Sequence, residues 1–185
     1  ADQSSLDILM KDFYKFYKGE AVDALPVHYK DFAKLQKDKI ESGEVKKQLT
    51  YWMNQINEDA IQTSLQPDYL PSVKRTYTGK KVRFNINIGS KLSQFANKHQ
   101  VTPYMVLFTT LSLLLWKYIG KNNFIIGTGT EGREKPELFN IMGMFVNTLP
   151  VCVNIDDKRN IEEQLQYTKK IILNALENQD CQYEE

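Results

Sequence analysis

Side chains able to do chemistry are few and scattered in this 185-residue sequence. The run Gly127-Thr-Gly-Thr-Glu-Gly132 follows a predicted strand, where closely spaced glycines bring backbone N–H groups near an anion. It lacks the Lys-Ser/Thr of a phosphate loop and the full GxGxxG spacing, and no capped helix follows directly. A structural turn is the better reading. His28 and His99 each stand alone, and no Ser-His-Asp or Cys-His arrangement follows from position. Two cysteines, Cys152 and Cys181, without CxxC spacing, and two distant histidines make a structural zinc site improbable. No metal is expected.

Composition narrows the class. Hydrophobic residues make up 42% and charged residues 25%, the balance of a globular chain and not a disordered one. With 24 basic against 23 acidic side chains the net charge is +1, which gives no support to nucleic-acid or anionic-membrane binding. Only four of the basic residues are Arg, so each Arg is a candidate for planar, bidentate pairing that Lys cannot make. The most apolar run, Tyr104 to Leu115, is too short to span a bilayer, and no signal-like stretch opens the chain. A cytoplasmic protein with reduced thiols is expected.

The elements that must position these residues read as follows. Ser5 is placed to cap a helix over about 6–17, with Leu6, Leu9, Met10, Phe13 and Tyr17 on one face. A second helical tract spans about 28–56 and breaks near Ser42-Gly43. Residues 57–72, with Pro67 and Pro71, read as a surface excursion. Val82, Phe84, Ile86 and Ile88 alternate with Arg83, Asn85 and Asn87, the pattern of a strand with one buried face. Ser90 opens a short helix to about Lys98. Thr102 and Pro103 open a longer one to about Ile119, apolar on nearly all sides and expected at the centre of the fold. Short strands at Phe124–Gly127 and Phe145–Val153 precede a last helix from Asn160, with Glu163 as capping partner, through Leu176. A sheet covered by helices, α/β in class, is predicted, with no internal repeat or linker.

Five segments, in order, resemble the condensation domains of nonribosomal peptide synthetases. Tyr29-Lys-Asp-Phe-Ala-Lys-Leu35 is similar to YxDYAxW, with Leu35 in place of Trp. Lys47-Gln-Leu-Thr-Tyr-Trp52 resembles the xQLxYW helix, and Gly132-Arg-Glu-Lys-Pro-Glu-Leu138 resembles GRxxPEL. Met142-Gly-Met-Phe-Val-Asn-Thr-Leu149 is similar to (I/V)GxFVNT(L/Q), and Asn178-Gln-Asp-Cys-Gln-Tyr-Glu184 to (H/N)QDxPFE. Their order and spacing agree over nearly all of residues 1–185.

The resemblance implies a chloramphenicol acetyltransferase-like lobe, a mixed sheet covered by helices. It also implies a reaction: an acyl or peptidyl thioester is joined to the amine of an aminoacyl thioester, both on the 4'-phosphopantetheine arms of carrier domains. No cofactor binds the lobe directly. Implied partners are peptidyl carrier domains, the N-terminal lobe of the same domain and an adjacent adenylation domain. Ala1-Asp2-Gln3 with Ser5 resembles the tail of the catalytic motif HHxxxDG, with Gln3 replacing its glycine. Asp2 is then the motif's aspartate, both histidines precede the chain, and residues 1–185 alone are expected to be inactive. In the family that aspartate pairs with an arginine. Arg133 is the candidate here; the alternatives are a solvated guanidinium or one paired with Glu131, Glu134 or Glu137. Asn147 and Thr148 are candidates for the pantetheine arm, and backbone fixing by Asn147 is the competing reading.

Two alternatives to amide formation come from the same residues. An epimerisation relative shares the fold and the His motif, but Phe145-Val-Asn-Thr-Leu-Pro150 favours condensation. A non-catalytic module that docks carrier domains is kept open by Gln3.

Overall fold

The computed structural model describes residues 1–56, 60, 65–69 and 78–181. Its elements run α1 (Gln3–Tyr17), α2 (Tyr29–Ser42), α3 (Lys46–Gln55), α4 (Gly89–Lys98), α5 (Pro103–Ile119), β1 (Asn123–Thr130), a 3-10 turn (Pro136–Leu138), β2 (Asn147–Asn154) and α6 (Ile161–Glu177). They divide into two compact units.

The first unit holds residues 1–55, 127–150 and 175–185, of which those to 181 are described. α1 begins one turn earlier than predicted. Its N-cap is Asp2, whose carboxylate accepts the Ser5 N–H, and Ser5 lies inside the first turn. A carboxylate at this position also suits the positive end of the helix dipole. The predicted apolar stripe is present but not buried: Leu6, Leu9, Met10, Phe13 and Tyr17 are all exposed. α2 and α3 are the two parts of the broken tract, divided at Gly43 as expected. The core of the unit is Leu138, Ile141 and Phe145, with Val27, Tyr29 and Phe32 packed onto it. Trp52 buries its ring on α3 and donates its indole N–H to the Asn178 carbonyl at 2.9 Å.

The second unit holds residues 56–126 and 151–174. Thr102 caps α5 through the Met105 N–H, with Pro103 at its first position, as the sequence indicates. α4 packs against α5. The predicted all-round burial of α5 is corrected. Met105, Phe108, Thr109 and Ser112 are buried, whereas Tyr104, Leu107, Leu111, Leu114 and Tyr118 form an exposed apolar stripe. The 82–88 strand is corrected too. These residues carry no strand, and Val82, Phe84 and Ile86 are each at least 70% exposed. Alternation selects a face, but a strand also needs a neighbour for its N–H and C=O groups. Among the described residues, only β1 and β2 pair.

β1 and β2 run antiparallel, with Asn122 opposite Ile155 (N···O 2.8 Å) and Gly127 beside Thr148. Along β2, Asn147, Leu149, Val151 and Val153 are buried in strict alternation. The predicted turn at Thr128–Gly132 starts later, because β1 continues through Thr130. α6 opens with the predicted reciprocal cap: Asn160 accepts the Glu163 N–H and Glu163 accepts the Asn160 N–H, both at 2.9 Å.

Candidate functional site

Among the described residues, the most densely bonded polar cluster lies within the first unit. It joins the start of α1, the turn after β1 and the loop before β2. Gly132 makes the turn possible: its φ is +62°, and an added Cβ would stand 2.0 Å from the Phe145 carbonyl oxygen. The chain is thereby turned so that Arg133 points inward, with its side chain only 4% exposed. One terminal nitrogen, Nη1, donates to the carbonyls of Leu138 and Ile141, each at 2.7 Å. The other, Nη2, lies 3.1 and 3.3 Å from the two Asp2 carboxylate oxygens and 3.3 Å from the Ser5 hydroxyl. The guanidinium plane rests over the Phe145 ring, 4.0 Å from its centroid.

Asp2 is equally committed. Oδ1 accepts the Ser5 N–H at 2.9 Å and faces the Ser5 hydroxyl at 2.6 Å, while Oδ2 accepts the Phe145 N–H at 3.3 Å. Burial by itself raises the Asp2 pKa. The Ser5 hydroxyl and N–H, the Phe145 N–H and the Arg133 guanidinium together outweigh it and hold the carboxyl well below the usual carboxylate range. Asp2 is therefore ionised throughout the neutral range. The alternatives for Arg133 are settled geometrically: its carboxylate partner is Asp2, not Glu131, Glu134 or Glu137.

Ser5, expected as a helix cap, and Tyr29, the first residue of the YxDYAxW-like segment, extend the cluster; local pattern does not foretell their bonds to the 143–145 loop. The Ser5 hydroxyl accepts the Gly143 N–H at 2.9 Å and stands 2.8 Å from the Gly143 carbonyl oxygen. On the other side of the same loop, Tyr29 donates its hydroxyl to the Met144 carbonyl at 2.9 Å, and its ring meets Phe145 edge-on. The segments carrying Asp2, Tyr29, Arg133 and Gly143 thus converge on one loop.

The condensation-domain family matches residues 1–185, the whole chain. The chain belongs to the condensation-domain family. Gramicidin S synthase 2 of Brevibacillus brevis is 34% identical over 186 residues, covering 100% of the chain and 4% of the relative. Bacitracin synthase 3 of Bacillus licheniformis is 32% identical over 187 residues, covering 100% and 3%. The chain thus spans a small fraction of the curated relatives it matches. Among solved structures, the condensation domain from the Monacolin K polyketide synthase superposes with TM-score 0.81 at 22% identity, covering 99% of this chain and 44% of that one. The X-domain from teicoplanin biosynthesis, solved in complex with OxyB, gives 0.83 at 20% identity, covering 100% and 43%. The fold of this condensation-domain chain is accordingly α/β and chloramphenicol acetyltransferase-like.

The remaining candidates of the condensation-domain chain sit at β2. The Asn147 amide nitrogen donates to the Gln179 and Cys181 carbonyls, both at 2.8 Å, and its oxygen accepts the Thr148 N–H at 2.7 Å. Asn147 is buried and ties down the backbone after α6; Thr148 beside it is exposed. Gln179 bonds the Thr130 hydroxyl and donates to Glu134 at 2.6 Å, and Asp180 pairs with Lys39 at 3.1 Å. The Asn178-Gln179-Asp180 segment therefore fastens its own surroundings. A cleft of about 420 Å³ opens beside it, floored by Phe32, Leu35, Leu138 and Phe145. His28 serves as the N-cap of α2, and His99 lies at the end of α4 against Phe95. Among the described residues there is no group of three His, Cys, Asp or Glu able to hold a metal, and no helix is long and apolar enough to cross a membrane.

Proposed function

We propose that this chain is the C-terminal part of a condensation domain that forms amide bonds in nonribosomal peptide synthesis. The domain joins an acyl or peptidyl thioester to the amine of an aminoacyl thioester, both carried on 4'-phosphopantetheine by peptidyl carrier domains. Its other partners are the N-terminal lobe and an adjacent adenylation domain, and its compartment is the cytoplasm. The observation that carries this reading is the buried Asp2–Arg133 pair, because it locks the residue that resembles the aspartate of HHxxxDG to the turn that resembles GRxxPEL.

In this reading the catalytic histidine stands just ahead of Asp2 in the protein chain. An ionised, fully bonded Asp2 acts on position and not as a base: it fixes where the chain enters α1, and hence where the imidazole is held against the attacking amine. Arg133 holds Asp2, so the two support the histidine without touching substrate. At β2 both Asn147 N–H bonds are used by backbone carbonyls, which leaves exposed Thr148 as the residue for the pantetheine arm.

The test is product formation by the full synthetase with its carrier domains loaded. Release of the amide-joined product, lost when the histidine ahead of Asp2 is replaced, supports the reading; equal turnover without that histidine overturns it. A scaffold role is the second reading. Gln3 in place of the motif glycine favours it. It predicts carrier-domain binding with no amide formation.

A further inference from the structure

The loop formed by Gly143, Met144 and Phe145 is gripped from two sides by residues outside the ion pair. From one side comes Ser5, 2% exposed. A hydroxyl has one hydrogen to give and two lone pairs. The Ser5 oxygen accepts from Gly143 N–H and from Arg133 Nη2, and its single hydrogen lies between two acceptors, Asp2 Oδ1 at 2.6 Å and Gly143 O at 2.8 Å. Its bonding capacity is filled, and every bond goes to the loop or to the ion pair. From the other side comes Tyr29. A Cβ added to Gly143 would stand 2.1 Å from the Tyr29 ring, so the ring lies directly on the loop backbone, with its hydroxyl bonded to Met144 O. The loop in turn donates the Phe145 N–H to Asp2 Oδ2.

The geometry points to Ser5 and Tyr29 as positioning residues for amide formation: they clamp the 143–145 loop so that its Phe145 N–H and the Arg133 guanidinium hold Asp2 in one orientation. Neither touches substrate. Both act through Asp2 on the histidine ahead of it, so this inference rests on the proposed function. Loss of the Ser5 hydroxyl leaves the Gly143 N–H without its acceptor and removes one of the Asp2 bonds. The carboxylate and the chain entering α1 then sample orientations in which the histidine is misplaced. The bonds of Ser5 and Tyr29 go to the ion pair and the 143–145 loop and none to Thr148, the residue proposed for the pantetheine arm, so the loss is expected in turnover and not in binding.

The experiment measures kcat and KM of the full synthetase, with loaded carrier domains, for wild type, Ser5→Ala, Ser5→Thr and Tyr29→Phe. Rates are normalised to the fraction of folded enzyme. Ser5→Ala is expected to lower kcat about tenfold or more with KM changed less than about twofold, the signature of an interaction that matters in the transition state. Ser5→Thr, which keeps the hydroxyl, recovers most of the loss, and Tyr29→Phe lowers kcat severalfold in the same pattern. A folded Ser5→Ala enzyme with wild-type kcat overturns the inference, as does a Ser5→Thr enzyme no better than Ser5→Ala. If Ser5→Ala does not fold, Tyr29→Phe decides, and an unchanged kcat there overturns it. Wild-type enzyme that forms no amide product instead refutes the proposed function, whatever the variants do.

Discussion

Arg133 Nη2 lies 3.1 Å from the Asp2 carboxylate, across 131 residues of sequence and with both side chains 4% exposed. Two charges buried to this degree are tolerable only when nearly every polar atom is bonded. Asp2 accepts from the backbone at Ser5 and Phe145, and Arg133 donates to Leu138 and Ile141. Among the described residues, one buried polar atom of the pair has no partner, Arg133 Nε. The pair is therefore the junction on which three segments of the first unit depend.

Replacing Arg133 with Ala should destabilise the intact domain by about 3–5 kcal/mol, since Asp2 is left as an uncompensated buried charge. Arg133→Lys should not restore it, because one ammonium cannot serve both the carboxylate and the two carbonyls. Urea denaturation checks both. A loss below about 1 kcal/mol in Arg133→Ala, the range of an exposed pair, contradicts the buried geometry.

The depressed Asp2 pKa sets an acid limit. A carboxyl whose folded pKa lies below its unfolded value contributes stability that is complete above the unfolded value. That contribution drains away as pH falls from about 4, the ordinary Asp value, through the folded one. Denaturation midpoints measured from neutral pH downward should thus fall more steeply for wild type than for Asp2→Asn. Parallel curves would show that Asp2 does not carry the effect.

Gly143→Ala should be disruptive, because its methyl would meet the Tyr29 ring at 2.1 Å, with backbone on one side and a packed ring on the other. The expected loss is at least about 1–3 kcal/mol, the range for overpacking. Tyr29→Ala in the same chain should relieve part of it, and the double-mutant coupling measures how much. Additive losses would mean that ring and loop do not press on one another.

Leu35 lines the cleft beside Asp180 at the position where the resembling family segment carries Trp. Leu35→Trp should bury more apolar surface against Phe32 and Leu138 and stabilise by about 1 kcal/mol, at roughly 25 cal/mol per Å². A thermal midpoint raised by a few degrees agrees; a lowered one shows that the cleft cannot take an indole.

Asn147→Ala should cost about 2–3 kcal/mol, since the Gln179 and Cys181 carbonyls lose their donor in a buried setting. If Asn147 served the pantetheine arm instead, KM for the loaded carrier domain would rise and stability would hardly change.

Much of this protein is legible in its sequence. Helix boundaries at Thr102-Pro103, at Gly43 and at Asn160-Glu163 are local events, decided by caps and backbone freedom within a few residues. The family was legible as well, because its motifs are short runs with fixed internal order. Burial was less legible. The stripe on α1 and the alternation at 82–88 were correctly seen as apolar faces, but periodicity says only that one face differs from the other. Whether that face is covered depends on a partner surface, which local pattern does not contain. Local pattern has the same limit at Arg133, whose own stretch holds three glutamates and no sign of Asp2; the family resemblance alone named that carboxylate as its partner. The turn at Gly132 and the packing of Phe145 beneath the guanidinium carry it across 131 positions to that carboxylate. Sequence by itself determined the kinds of residue and the helix ends. Tertiary structure decided which charges meet, because a buried ion pair forms only where backbone and rings from distant segments exclude water around both partners.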